Sequence, residues 1–350
     1  VPAGQPMFDS QSGGGVQKLL GGPVWVSDPS RMDLQAPVTV EDGDIWYYRA
    51  DCDNPSPAVT LDTDLTFTPE YRGTICVNQP WQQLYRAPTI GSFPGAADVA
   101  LTNQAPDTTT YPGCSVFAPG RYTVMPALTS HNYFKSGNYY FEDVEFEVTH
   151  AVVTAGWPDS GGYGDQIFMA NAPCAAAISD DALAPGATPG ATFYFGGTSH
   201  LNVDNQGSFE ILRRLQGDSL VSIQALDTTT ADHEASSLDY NDDLVWSKSG
   251  ANNDLAIHGL AWAPRAAMTF GNVTNAANGQ ILGGAVFARI HLQASASASA
   301  FIIRVETTPI AYELRVDATA TKNGRSTTMT AVVQVSDQGV TAVNSLRVRD

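Results

Sequence analysis

The chain has 350 residues, 43% of them hydrophobic and only 15% charged. That is enough apolar material for one large domain or two smaller ones, and it excludes wholesale disorder. With 18 Lys and Arg against 36 Asp and Glu, the formal net charge is −18. Such a surface repels phosphate backbones and anionic headgroups, so nucleic-acid binding and membrane-surface binding fall away as leading functions.

Read from the N-terminus, the predicted elements are strands. Runs with period-2 alternation or rich in β-branched and aromatic residues fall at 22–26 (GPVWV), 44–48 (DIWYY), 65–68 (LTFT) and 138–148 (NYYFEDVEFEV). They continue at 191–195 (ATFYF), 220–223 (LVSI), 255–262 (LAIHGLAW), 285–292 (AVFARIHL) and 301–305 (FIIRV). Helical periodicity is scarce; 209–215 (FEILRRL) fits one short helical turn or a strand. Residues 105–112 (APDTTTYP) and 179–189 (SDDALAPGATP) read as loops without regular structure, because both are rich in Pro and small residues.

Between 133 and 305 short apolar strands recur. Each is followed by a polar turn such as Gly137-Asn138, Gly196-Gly197, Asn205-Gln206-Gly207, Gly271-Asn272 or Gly283-Gly284. The expected fold class is all-β: a right-handed parallel β-helix whose polar residues turn the corners, with a β-sandwich as the alternative. The C-terminal stretch differs. Residues 313–320 (ELRVDATA) and 327–335 (TTMTAVVQV) alternate cleanly around Lys322-Asn323-Gly324-Arg325. Asn-Gly is a strong hairpin signal because both residues take positive φ cheaply. Residues 340–348 offer a third strand. The expected domains are therefore 1–309, a β-rich body with disulfide-stapled loops, and 310–350, an antiparallel hairpin module, with Pro309 at the junction.

The cysteines are Cys52, Cys76, Cys114 and Cys174. None forms a C-x-x-C pair, so zinc-ribbon and thioredoxin readings fail, and the even count favours two disulfides in an oxidising compartment. Of the three connectivities, the sequential one, Cys52–Cys76 with Cys114–Cys174, closes the shortest loops. The most apolar long stretch, 281–305, contains Arg289 and His291 and reads as consecutive strands, so no transmembrane span is expected. No signal peptide is visible; the start at Val1 is read as the mark of a removed N-terminal segment. The expected location is secreted or at the cell surface.

Candidate chemistry is sparse. A glycosidase needs two carboxylates flanking a sugar, and Asp204, Glu210, Arg213 and Arg214 are the nearest approach to a polysaccharide-cleaving set; they read as surface residues on successive rungs. Asp239, Asn241 and Asp243 open like an EF-hand calcium loop, but Leu244 stands where Gly is required and Gly250 where the bidentate carboxylate belongs. Calcium is thus the one candidate cofactor, and a solvated acidic turn is the plainer reading. The six histidines show no paired ligand spacing. No G-x-S-x-G elbow, P-loop or helix-opening G-x-G-x-x-G occurs, and 160–164 (SGGYG) reads as a flexible loop. Asn272 heads the one N-x-T sequon, meaningful only in a glycosylating host. The 6 Trp, 13 Tyr and 14 Phe lie largely in strand runs and so fill a core before they serve as sugar-stacking platforms.

Several patches resemble actinobacterial exported, pilin-like proteins of the PilX type. They are 21–28 (GGPVWVSD), 113–122 (GCSVFAPGRY), 132–141 (NYFKSGNYYF) with Asp143-Val144, and 257–264 (IHGLAWAP). Residues 318–335 (ATATKNGRSTTMTAVVQV) are similar to the closing β-hairpin of type IV pilin-like proteins. The resemblance touches about a third of the chain and lacks the long apolar N-terminal helix of polymerising pilins. It implies a surface location more firmly than filament assembly.

The leading expectation is a non-enzymatic extracellular structural or adhesive protein at the bacterial surface, a pilus-like filament subunit or a pilus-associated protein. Its partners would be further copies or other surface proteins, with glycans as possible ligands. The alternatives are a polysaccharide-binding or polysaccharide-cleaving β-helix and a viral surface spike.

Overall fold

β-branched and aromatic residues set at alternate positions favour extended backbone with one face inward, and strands dominate the chain. The computed structural model describes residues 8–10, 16–20, 24–26, 32–35, 37–41, 45–48, 65–68, 74–77, 102–125, 127–158, 171–184, 188–216, 219–225, 245–247, 254–270, 278–292, 300–304, 312–322, 325–336 and 339–349. It divides into two compact units, Val1–Val305 and Glu306–Asp350.

Among the described residues of the first unit the sheets are parallel, apart from the pairing of Arg214–Gln216 with Ser219–Ala225 and an isolated bridge at Asp107. One sheet carries 10 described strands. In spatial order they are Ser115–Phe117, His131–Phe134, Val152–Ala155, Ser208–Ile211, Asp254–Ile257, Asn278–Ile281, Ala300–Arg304, Val16–Leu20, Val38–Glu41 and Leu65–Thr68. A 12-stranded sheet forms two rows joined by Leu260–Phe270, whose register shifts between Ala263 and Ala267 so that its halves serve different rows. The first row includes Gly120–Tyr122, Gly137–Glu142, Ala191–Gly196 and Ser219–Ala225. The second includes Glu145–Thr149, His200–Asp204, Val245–Ser247, Phe8–Ser10 and Met32–Leu34. Val24–Val26, Ile45–Tyr48 and Thr74–Val77 form a separate parallel sheet.

The chain visits these rows in rotation. His131–Phe134 of the 10-stranded sheet leads to Gly137–Glu142 in the first row and Glu145–Thr149 in the second, then returns as Val152–Ala155 one strand along. The next circuit runs Ala191–Gly196, His200–Asp204 and Ser208–Ile211. Corners use left-handed backbone at Asp143 (φ 54°), His150 (φ 51°), Asn205 (φ 46°) and Gln206 (φ 65°), three of them the Asx-type or histidine residues that tolerate it best. At one corner Asp143 Oδ1 accepts the Thr198 backbone N–H at 3.0 Å and its hydroxyl at 3.2 Å, tying successive circuits together. Gly197 sits beside that carboxylate with φ +62°, and a Cβ there would lie 2.1 Å from Asp143 Oδ1.

Because neighbouring strands share a register, side chains of one type stack in columns. In the 10-stranded sheet Phe117, Phe134, Ala155, Ile211, Ile257 and Ile281 follow one another, all buried, and the column continues through Ile303, Leu19 and Val40. The circuits nearest Phe117 have an aromatic interior. Phe117 stacks on Phe134 at 4.3 Å between centroids, and Phe134 meets Phe193 edge-on at 5.4 Å. Edge-on and offset contacts suit the ring quadrupoles and add to the burial of large apolar area.

Of the two readings of 209–215, the strand holds: Ser208–Ile211 and Arg214–Gln216 are strands. One local expectation is corrected. Residues 179–182 are not loop. They end an α-helix, Ala175–Ala182, preceded by a short 3-10 turn, Ala172–Cys174. Its opening Ala run has the best helix propensity, and tertiary bonds described below hold it. Residues 105–112 are a loop that pairs once, through mutual backbone hydrogen bonds between Asp107 and Val116.

The second unit is an antiparallel sheet of Tyr312–Lys322, Arg325–Ser336 and Gly339–Arg349. Its register pairs Lys322 with Arg325, on either side of Asn323-Gly324 in the sequence. Among the described residues no helix is long and apolar enough to cross a membrane.

Candidate functional site

A buried polar cluster lies on the outward side of the 10-stranded sheet. In Ser208–Ile211 the side chains of Phe209 and Ile211 enter the core, so Glu210 must point the other way. The register sets Glu210 between Thr154 and Ala256. Two residues beyond Ala256, His258 brings its Nε2 to 2.7 Å from Glu210 Oε1. Both side chains are 0% exposed. Nearby on the same side, Asn171 Nδ2 donates to Thr154 Oγ1 at 3.2 Å and to the Asn132 carbonyl at 3.1 Å, while its Oδ1 lies 3.1 Å from His131 Nδ1.

This overturns the expectation that Glu210 and Arg213 are surface residues on successive rungs, while Asp204 and Arg214 keep partial exposure. Glu210 and Arg213 are buried. Arg214 turns back to donate to the Thr188 carbonyl at 3.0 Å and the Gly190 carbonyl at 3.4 Å, and Asp204 at a corner accepts the Asn205 N–H at 2.7 Å. The four residues are adjacent in sequence but do not converge on one point. The partner that matters, His258, stands 48 residues from Glu210 and showed no motif. The recoverable signal was a lone polar residue in each of two apolar strand segments, FEI and AIH, one circuit apart.

A carboxylate bonded to an imidazole can orient a general base. Here both groups are shut away from solvent, and a substrate atom would need to reach the ring. The geometry as it stands joins adjacent circuits by a buried side-chain hydrogen bond.

A second cluster fixes the end of the sheet near Ser115–Phe117. Residues leave the sheet after Val152–Ala155, and Gly190 N–H donates to the Trp157 carbonyl at 3.0 Å, closing the neck of the excursion. Its helix returns to the body by three routes. Cys174 is disulfide-bonded to Cys114, 60 residues away. Asp181 Oδ2 accepts both the Tyr133 hydroxyl and the Ser136 N–H at 2.7 Å. Asp180 Oδ2 accepts the Tyr111 hydroxyl at 2.9 Å. Burial, with the Asp181 carboxylate beside it, pushes the Tyr133 phenol far above its ordinary value. Burial holds Tyr139 well above its ordinary value and pushes Tyr122 up to about 12. In the loop below, Asp107 accepts hydrogen bonds from Thr110 and Thr109, which hold its carboxyl well below the usual carboxylate range.

Cys114–Cys174 is the second pair of the sequential connectivity. Cys76 lies on the strand Thr74–Val77, and Cys52 lies outside the described residues. Asp239, Asn241, Asp243, Asn272 and the glycine-rich 160–164 also lie outside them. Among the described residues no group of three or more His, Cys, Asp or Glu side chains is placed to hold a metal. Of the other histidines, His200 lies 3.6 Å from Glu145 and His150 turns a corner.

No family model, curated protein or solved structure matches this chain.

Proposed function

We propose that the protein is a non-enzymatic extracellular structural or adhesive protein of the bacterial cell surface, built as a right-handed parallel β-helix followed in the chain by the antiparallel unit. The observation that carries this reading is the repeated three-row circuit with continuous inward columns, whose acid–base pair Glu210–His258 is sealed between circuits. Right-handedness follows the general preference of parallel crossovers. A stacked-circuit body spaces its ends rigidly, which is what a stalk or filament component needs. The patches that resemble PilX-type proteins lie on this body: 113–122 and 132–141 supply strands at its aromatic end. The disulfide favours an oxidising compartment.

Antibody labelling of intact host cells tests the reading. The protein is expected on the outer surface, and confinement to the cytosol would overturn it.

A polysaccharide-binding role is a second reading, favoured by one observation. Tyr140 and Tyr194 stack at 4.8 Å on the outward side of the first row, and Tyr140 is only partly buried. A glycan array decides: binding that Tyr140→Ala abolishes supports this role, and no binding removes it.

A further inference from the structure

Within the 10-stranded sheet, sequence order breaks once. Strands from Ser115–Phe117 to Ala300–Arg304 stack in chain order, and the next strand is Val16–Leu20, followed by Val38–Glu41 and Leu65–Thr68. The second row agrees: Ala285–Leu292 pairs with Phe8–Ser10, Ile290 opposite Phe8. The N-terminal strands therefore occupy the place that the next circuits of the body would take. Leu65–Thr68 and Ser115–Phe117, consecutive in the chain among that sheet's strands, stand at its opposite edges, about 43 Å apart at ~4.8 Å per strand. The 24 residues of 78–101 join the two ends, and at full extension they reach about 80 Å.

We infer that this docking is exchangeable: the N-terminal strands of one copy seat on the Ala300–Arg304 end of a second copy, so that the protein associates with itself by strand exchange. The surface that recognises the strands is already on the page. Five register pairs join Val16–Leu20 to Ala300–Arg304, and Leu19 and Ile303, both buried, continue one apolar column. Every copy presents the same end and the same strands, and the contour length of 78–101 exceeds the separation of the sheet's edges. Dilution favours the intramolecular form, because the tether raises the effective local concentration of the strands, and concentration favours exchange. The two contacting surfaces differ, so exchange propagates head to tail unless two copies trade segments reciprocally. The opposite end is not exchangeable in this way, since Cys114–Cys174 and the Asp107–Val116 bridge bind its covering segments covalently or locally. This inference deepens the structural reading above, but its test is separate: surface labelling can succeed whatever the exchange experiment shows.

The probe is the outward register pair Lys18 and Ile302, both only partly buried, at a strand spacing that a disulfide can bridge. Full-length Lys18→Cys and Ile302→Cys, differently tagged, are coexpressed and oxidised. A disulfide-linked heterodimer, absent from each variant expressed alone, is the expected product. The double variant in one chain is expected to crosslink within itself and to elute as monomer at concentrations where the wild type self-associates. Intrachain crosslinking without any heterodimer overturns the exchange. Failure of both crosslinks overturns the pairing on which it rests.

Discussion

The side chain that says most about this protein is Glu210. An acidic side chain with no exposed surface is costly to bury unless paired, and the 2.7 Å contact with His258 supplies one partner. Glu210→Ala or His258→Ala is expected to cost about 3–5 kcal/mol, read from urea midpoints, whereas the joint Glu210→Leu, His258→Phe variant should lose much less. Equal losses in all three would contradict the pairing. The buried phenols of Tyr122, Tyr133 and Tyr139 set a second expectation. Each has a folded value above the usual one near 10, so their contribution is complete below about pH 10 and is lost as pH rises through 12 and beyond. Phenolate absorbance should show these three ionising only as circular dichroism reports unfolding. Reversible titration of every tyrosine near pH 10 with the fold intact would contradict this.

At the scale of elements, the helix Ala175–Ala182 is too short to persist alone in water, and the disulfide with the Asp181 and Asp180 bonds holds it in place. Replacing Cys114 and Cys174 by Ser is expected to cost about 2–4 kcal/mol. Hydrogen exchange should accelerate first over 171–184, with the circuits beyond Ser208–Ile211 little changed; uniform acceleration would contradict a local staple. Gly190→Ala tests the neck of the same excursion. With φ +78° and a Cβ only 1.7 Å from the Arg213 carbonyl oxygen, the substitution should destabilise by on the order of 1–3 kcal/mol, visible as a lowered Tm. Strands were legible because their burial follows the alternation of residues: Gly137–Glu142 alternates buried and half-buried in step with GNYYFE. The helix was not, because AAAISDDA lies beside Pro-rich sequence and its anchors, Tyr133 and Cys114, are distant in the chain. The Glu210–His258 pair was illegible for the same reason, since only the register of two strands 46 residues apart brings them together.

At the scale of the whole molecule, the first unit is a succession of circuits whose inward columns run without interruption from Phe117 to Val40. The sequence order along that column is permuted, and it is this permutation from which exchange between copies is inferred. Composition could not reveal this, because strand order depends on which edges meet, while alternation reports only which face is buried. The parallel β-helix reading stands or falls on those columns. A crystal structure of the full chain is the most direct measurement. The account predicts Tyr139, Phe193 and Ile223 in register on adjacent parallel strands, with Phe134 packed against Phe193 inside a three-row coil. Two antiparallel sheets packed face to face, with these residues on unrelated strands, would contradict it.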